Sequence, residues 1–176
     1  NSYDGGGIYA SGMVDVYLND GTIEDCEAYD NGGGIFVGGQ TGFSSVLRLN
    51  GTEIRECTAT NGGAVYSRNN VTINMTNGII YHGVAYMNGG GIYVDNETGA
   101  TMYLNISGGS ISNCQAGEEG GGVYAGGVYT YLTMSGGTID TCWSTSGGAF
   151  CIQSLVFQLE STALIRSDNH AQTSNG

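Results

Sequence analysis

Six times along this 176-residue chain a run of glycine leads into an apolar residue, and in the first five an aromatic follows it. The copies are "GGGIY" at 5–9, "GGGIF" at 32–36, "GGAVY" at 62–66, "GGGIY" at 89–93, "GGGVY" at 120–124 and "GGAFC" at 147–151. The apolar position runs through Ile8, Ile35, Val65, Ile92, Val123 and Phe150, with spacings of 27, 30, 27, 31 and 27. A period of this size is the mark of a solenoid, in which each repeat buries its apolar face only against its neighbours.

A second strand follows in every repeat. Leu18, Leu49, Met75, Ile106, Met134 and Leu159 each stand five residues before Ile23, Ile54, Ile80, Ile111, Ile139 and Leu164. Two places earlier the residue is again apolar: Val16, Leu47, Ile73, Leu104, Leu132 and Phe157. The residues between, Tyr17, Arg48, Asn74, Asn105, Thr133 and Gln158, are mostly polar, which is the period of two of a strand with one buried face. Helical spacing is absent. The expected fold is all-β: a right-handed, single-stranded parallel β-helix over residues 1–176, one repeat domain of about six rungs of 27–31 residues. Three short strands per rung, stacked about 4.8 Å apart, would make a rod about 30 Å long. Asp4, Asn31, Asn61 and Asn88, each just before the glycines, suit the turns there.

Composition narrows the function classes. Sixteen acids against four arginines and no lysine give a net charge of −12, a surface that cannot neutralise phosphates, so neither nucleic acid nor an anionic membrane is an expected partner. No apolar run approaches a membrane span. No basic, apolar leader precedes the first repeat, so the chain reads as mature or excised.

The pairing of "GGA[IV]" with a following "I-x-x-[NC]-x-A" resembles the repeats of the chlamydial polymorphic outer membrane proteins. It is also similar to the "GGTI" repeats of bacterial surface adhesins. Here Ile stands where the chlamydial motif begins with Phe, and Cys26, Cys57, Cys114 and Cys142 take the place of its closing Asn. The resemblance implies a secreted or cell-surface adhesive passenger, with no catalytic residues or cofactor to carry over.

Several residue sets remain as candidates. Cys26, Cys57, Cys114 and Cys142 form one column, interrupted by Gly83 in the third rung. Stacked neighbours fall within disulfide distance, so the column is a core corner, with Cys26–Cys57 and Cys114–Cys142 linked in an oxidising compartment or reduced otherwise. No CxxC or partnered His points to a metal. Tyr9, Phe36, Tyr66, Tyr93 and Tyr124 should point outward in a stripe, either a platform for sugar rings or a partner protein, or simply a cover for the sheet. Glu24, Asp25, Arg55, Glu56 and His82 lie in neighbouring columns of successive rungs, the grouping a sugar-cleaving enzyme would need, and equally a set of vertical ion pairs. With a single Arg and no Lys in that group, a non-enzymatic reading is preferred. Asp95/Glu97, Glu118/Glu119 and Asp15/Asp20 lack any calcium-loop pattern. The column Thr22, Glu53, Ile79, Ser110, Thr138, Ala163 is no ice-binding threonine array. Asn50, Asn70, Asn74, Asn96 and Asn105 stand in N-x-S/T sequons, meaningful only in a eukaryotic secretory protein.

The reading is therefore an extracellular or cell-surface structural and adhesive module. Its expected partners are adjoining rungs or a second copy stacked end to end, with a glycan or host surface as a possible ligand; a polysaccharide-binding or polysaccharide-degrading β-helix is the alternative.

Overall fold

A computed structural model describes residues 2–97, 99–153 and 156–171. The described chain is a parallel β-solenoid of about six coils, with no helix among the described residues. Every coil-to-coil pairing between its strands is parallel, so four sheets run along the rod. In chain order, the first sheet begins with Ser2–Asp4 and ends with His170–Ala171, and the second runs from Ile8–Gly12 to Phe150–Ile152. The third spans Asp15–Leu18 to Val156–Leu159, and the fourth Thr22–Glu24 to Leu164–Ile165.

Inward ladders build the core. On the second sheet Ile8, Ile35, Val65, Ile92, Val123 and Phe150 pair in register. On the third, Val16, Leu47, Ile73, Leu104, Leu132 and Phe157 do the same. Ile54, Ile80, Ile111 and Ile139 on the fourth are fully buried. Like side chains meet like at the coil spacing, which is why the same letters recur.

Two features depart from expectation. Each coil has four strands rather than three. The extra strand, Ala28–Asn31 and its equivalents, turns only Ala28, Ala59, Ala85, Ala116 or Ser144 inward, all buried. With so small an inward residue the strand carries no hydrophobic alternation, so its Asn reads as turn chemistry alone. Those asparagines also form a ladder: Asn31 Nδ2 donates to Asp4 Oδ1 at 2.9 Å and Asn61 Nδ2 to Asn31 Oδ1 at 3.4 Å. Asn88 extends it, donating to Asn61 Oδ1 at 3.5 Å. The second departure is in the last coil, where Ile165, not Leu164, continues the isoleucine column, and Leu164 pairs with Thr138 on the outward side. A turn closed by the Ala163 N–H on the Glu160 carbonyl, 3.1 Å, takes up the extra residue.

One corner is strained in each of the first five coils. Asp25, Glu56, His82, Asn113 and Thr141 all have φ of 50–54°, the left-handed region that costs any side chain and suits Asn, Asp and His best. This corner aims the next residue, the cysteine column, into the core.

Candidate functional site

The aromatic column stacks as a continuous ladder. Ring centroids of Tyr9–Phe36, Phe36–Tyr66, Tyr66–Tyr93 and Tyr93–Tyr124 lie 5.0, 5.4, 4.9 and 4.6 Å apart, nearly coplanar in orientation. Its exposure differs from expectation. Tyr9 is 57% exposed, but Phe36, Tyr66 and Tyr124 are at most 9% exposed and Tyr93 is half-buried. The residues two places beyond each ring, on the same face, close against the ladder. Arg68 lies 5.2 Å above Phe36, the Tyr66 hydroxyl donates to Asp95 Oδ2 at 3.0 Å, and Gly38 and Gly126 sit against Phe36 and Tyr124. A Cβ on Gly126 would come 2.8 Å from the Tyr124 ring. Burial accordingly pushes the Tyr66 and Tyr93 hydroxyls above their ordinary range, and burial likewise raises Asp95. Cys151 occupies the ladder's sixth place, paired with Tyr124.

The cysteine column is a packing column. All five thiols are free, and Cys57, Cys114 and Cys142 are buried. Burial lifts the Cys57 thiol to about 12. Cys114 is held well above its ordinary value by its hydrogen bond with Cys142 and by burial. These are poor nucleophiles, since reactivity needs the thiolate.

The acidic group does assemble, as ion pairs. Arg55 bridges Glu24 on the preceding coil and reaches Glu53 at 3.7 Å, while His82 bonds Glu56. The basic members are thus engaged by neighbouring carboxylates at partly exposed positions. Among the described residues no group of three or more His, Cys, Asp or Glu could hold a metal ion.

The sequon asparagines differ in setting. Asn96 is buried and its amide bonds the Ala100 carbonyl, while the Thr98 of its sequon lies outside the described residues. Asn70 sits in a left-handed turn and donates to the Gln40 carbonyl at 3.1 Å. Asn50, Asn74 and Asn105 share the outer side of the third sheet.

That outer side is nearly free of acids, unlike that of the fourth sheet. Its outward positions, coil by coil, are Asp15 and Tyr17, Val46 and Arg48, Thr72 and Asn74, Tyr103 and Asn105, Tyr131 and Thr133, then Val156 and Gln158. Beyond Asp15 none is acidic, on a chain with sixteen acids. Asn19, Arg48, Asn50, Asn74 and Thr76 line an open groove of about 370 Å³. Arg48 lies over the Tyr17 ring at 5.3 Å and belongs to none of the four ion pairs among the described residues. Tyr103 and Tyr131 stack at 5.4 Å. The alternation of Tyr17, Arg48, Asn74 and Asn105 was visible in the sequence but served there only as evidence for a strand.

No family model, no curated protein and no solved structure matches the chain.

Proposed function

We propose that this chain is a rod-building module of an extracellular or cell-surface protein, with a structural and adhesive role. The observation that carries the reading is the last coil. Phe157, Leu159 and Ile165 continue the core columns, yet are 40%, 49% and 37% exposed, whereas Leu132, Met134 and Ile139 one coil earlier are fully buried. The first coil is similar: Ile8, Val16, Leu18 and Ile23 are only half-buried. A coil therefore buries its apolar columns fully only when a parallel coil lies on both sides of it, so the unit is built by adding coil to coil. A further coil, from adjoining rungs or from a second copy, completes the core there. Head-to-tail addition of copies does not close on itself and gives a filament.

Electron microscopy and light scattering of the isolated 176-residue chain test this. Rods longer than one chain are expected, shortened to single particles by Leu159→Asp. Soluble monomers at high concentration, with the native chain folded, would overturn the end-to-end reading.

A further inference from the structure

We propose that the outer face of the third sheet binds a linear, neutral oligosaccharide lying along the rod, roughly one sugar per coil. This deepens the adhesive reading above by naming its ligand class, and places the site away from the stacked aromatic ladder.

Three observations converge. First, the chemistry of the face is that of sugar recognition. Tyr17 and Tyr103 are 52% and 43% exposed; Arg48 covers one face of Tyr17 and Tyr131 stacks on one face of Tyr103, and the remaining exposed ring surface offers apolar contact to the C–H groups of a sugar. Amides and hydroxyls surround them. Asn105 Nδ2 donates to Asn74 Oδ1 at 3.0 Å, and Thr76 Oγ1 to Asn50 Oδ1 at 3.2 Å. Those bonds use Asn74 and Asn50 as acceptors, so their own N–H groups remain to donate into the groove they line. Arg48 adds donors there while its guanidinium is held over Tyr17.

Second, the charge distribution selects a neutral ligand. The net charge of −12 repels sulfated or uronate chains at long range. On this face, though, the outward positions from Val46 to Gln158 carry no carboxylate to compete for the donors. Asp15, at one end, is already engaged by the Tyr17 hydroxyl at 3.3 Å and the Val46 N–H at 2.9 Å.

Third, the geometry selects a linear ligand. Equivalent outward positions repeat once per coil, about 4.8 Å apart along a straight axis, comparable to the advance per residue of an extended glycan. Affinity should therefore grow with chain length until the ligand spans the coils.

Three sequon asparagines, Asn50, Asn74 and Asn105, lie on this face. An N-glycan on Asn74 or Asn105 would cover the groove, so the proposal requires those two to be unmodified in the natural protein.

The test is calorimetric titration of the chain with cello-, xylo-, manno- and chito-oligosaccharides from the disaccharide to the hexasaccharide. At least one hexasaccharide should bind, at least tenfold more tightly than its disaccharide. The pair Tyr103→Ala/Tyr131→Ala should weaken it at least tenfold with the thermal melt unchanged. Tyr29→Ala/Tyr86→Ala, exposed tyrosines of the first sheet, should leave it intact. Absence of binding by all four hexasaccharides, equal loss in both variants, or a glycan on Asn74 or Asn105 would each overturn the assignment. Light scattering on the same samples separates the outcomes: rods that ignore sugars sink this inference and leave the rod-building module standing.

Discussion

The gap in the cysteine column gives the sharpest test of how this core is specified. In four coils a cysteine faces a glycine across the corner. A Cβ on Gly34 would lie 3.3 Å from Cys57 Sγ, one on Gly91 3.3 Å from Cys114 Sγ, and one on Gly122 3.4 Å from Cys142 Sγ. Gly7 stands similarly against Cys26, at 3.1 Å. The third coil reverses both residues: Ala64 replaces the glycine and Gly83 the cysteine. A Cβ on Gly83 would meet the Ala64 Cβ at 3.2 Å. The corner thus holds one small side chain, a methyl or a CH2–SH, contributed from either side. Gly83→Cys alone overpacks a fully buried site and should cost about 1–3 kcal/mol. Ala64→Gly alone loses a buried methyl and adds backbone freedom to the unfolded chain, for about 1–2 kcal/mol. The double variant recreates the arrangement of the other coils. It should cost less than the two single losses added together, by about 1–3 kcal/mol, the coupling of residues in contact. The residual loss reflects the Gly90 carbonyl: a Cβ at position 83 would stand 2.3 Å from its oxygen, so the backbone there must move. Urea unfolding of the four proteins, with unchanged denaturant slope, measures the cycle. Additive losses, or a harmless Gly83→Cys, would refute the volume exchange.

Ser67 lies in an apolar inward column between Val37 and Val94, fully buried, with no partner for its hydroxyl. Ser67→Ala should therefore stabilise by about 1–2 kcal/mol in thermal unfolding. Asp95 has its pKa raised by burial, so its contribution is fully present below its unfolded pKa and lost as pH rises through the folded one. Asp95→Asn, which keeps an acceptor for Tyr66, should be more stable than the native chain at neutral pH. That advantage should vanish in acid, as a pH series of melts would show.

The inward columns were legible in the sequence because a solenoid repeats its core: Ile54, Ile80 and Ile111 are chosen by the same cavity three times over. What failed to appear had local causes. The first sheet hid because Ala59 and Ala85 bury little apolar surface and so write no alternation. In the last coil Leu164 and Ile165 are both aliphatic, and only the length of the preceding turn decides which enters the column. The direction of the aromatic ladder followed from the alternation, but its exposure depends on the residues two places further along the same face, Gly38, Arg68 and Gly126, which differ from coil to coil. The missing cysteine made sense only once Ala64 was seen across the corner.

The same logic separates structure from function on the outside of the rod. Inward residues are fixed by packing, so their recurrence carries no information about ligands. Outward residues on the third sheet meet no such demand: Thr72, Asn74, Tyr103 and Asn105 could each be acidic without disturbing a core column. On the neighbouring fourth sheet that freedom is used for negative charge, as in Glu24, Glu53 and Asp140. On the third sheet it is not, along nearly the whole rod, although the fold would tolerate it. A neutral ligand lying against that face, as proposed above, would account for it. A longer solenoid, whether by adjoining rungs or by a second copy, would carry the same face further and hold a glycan at more sites with no new contact type.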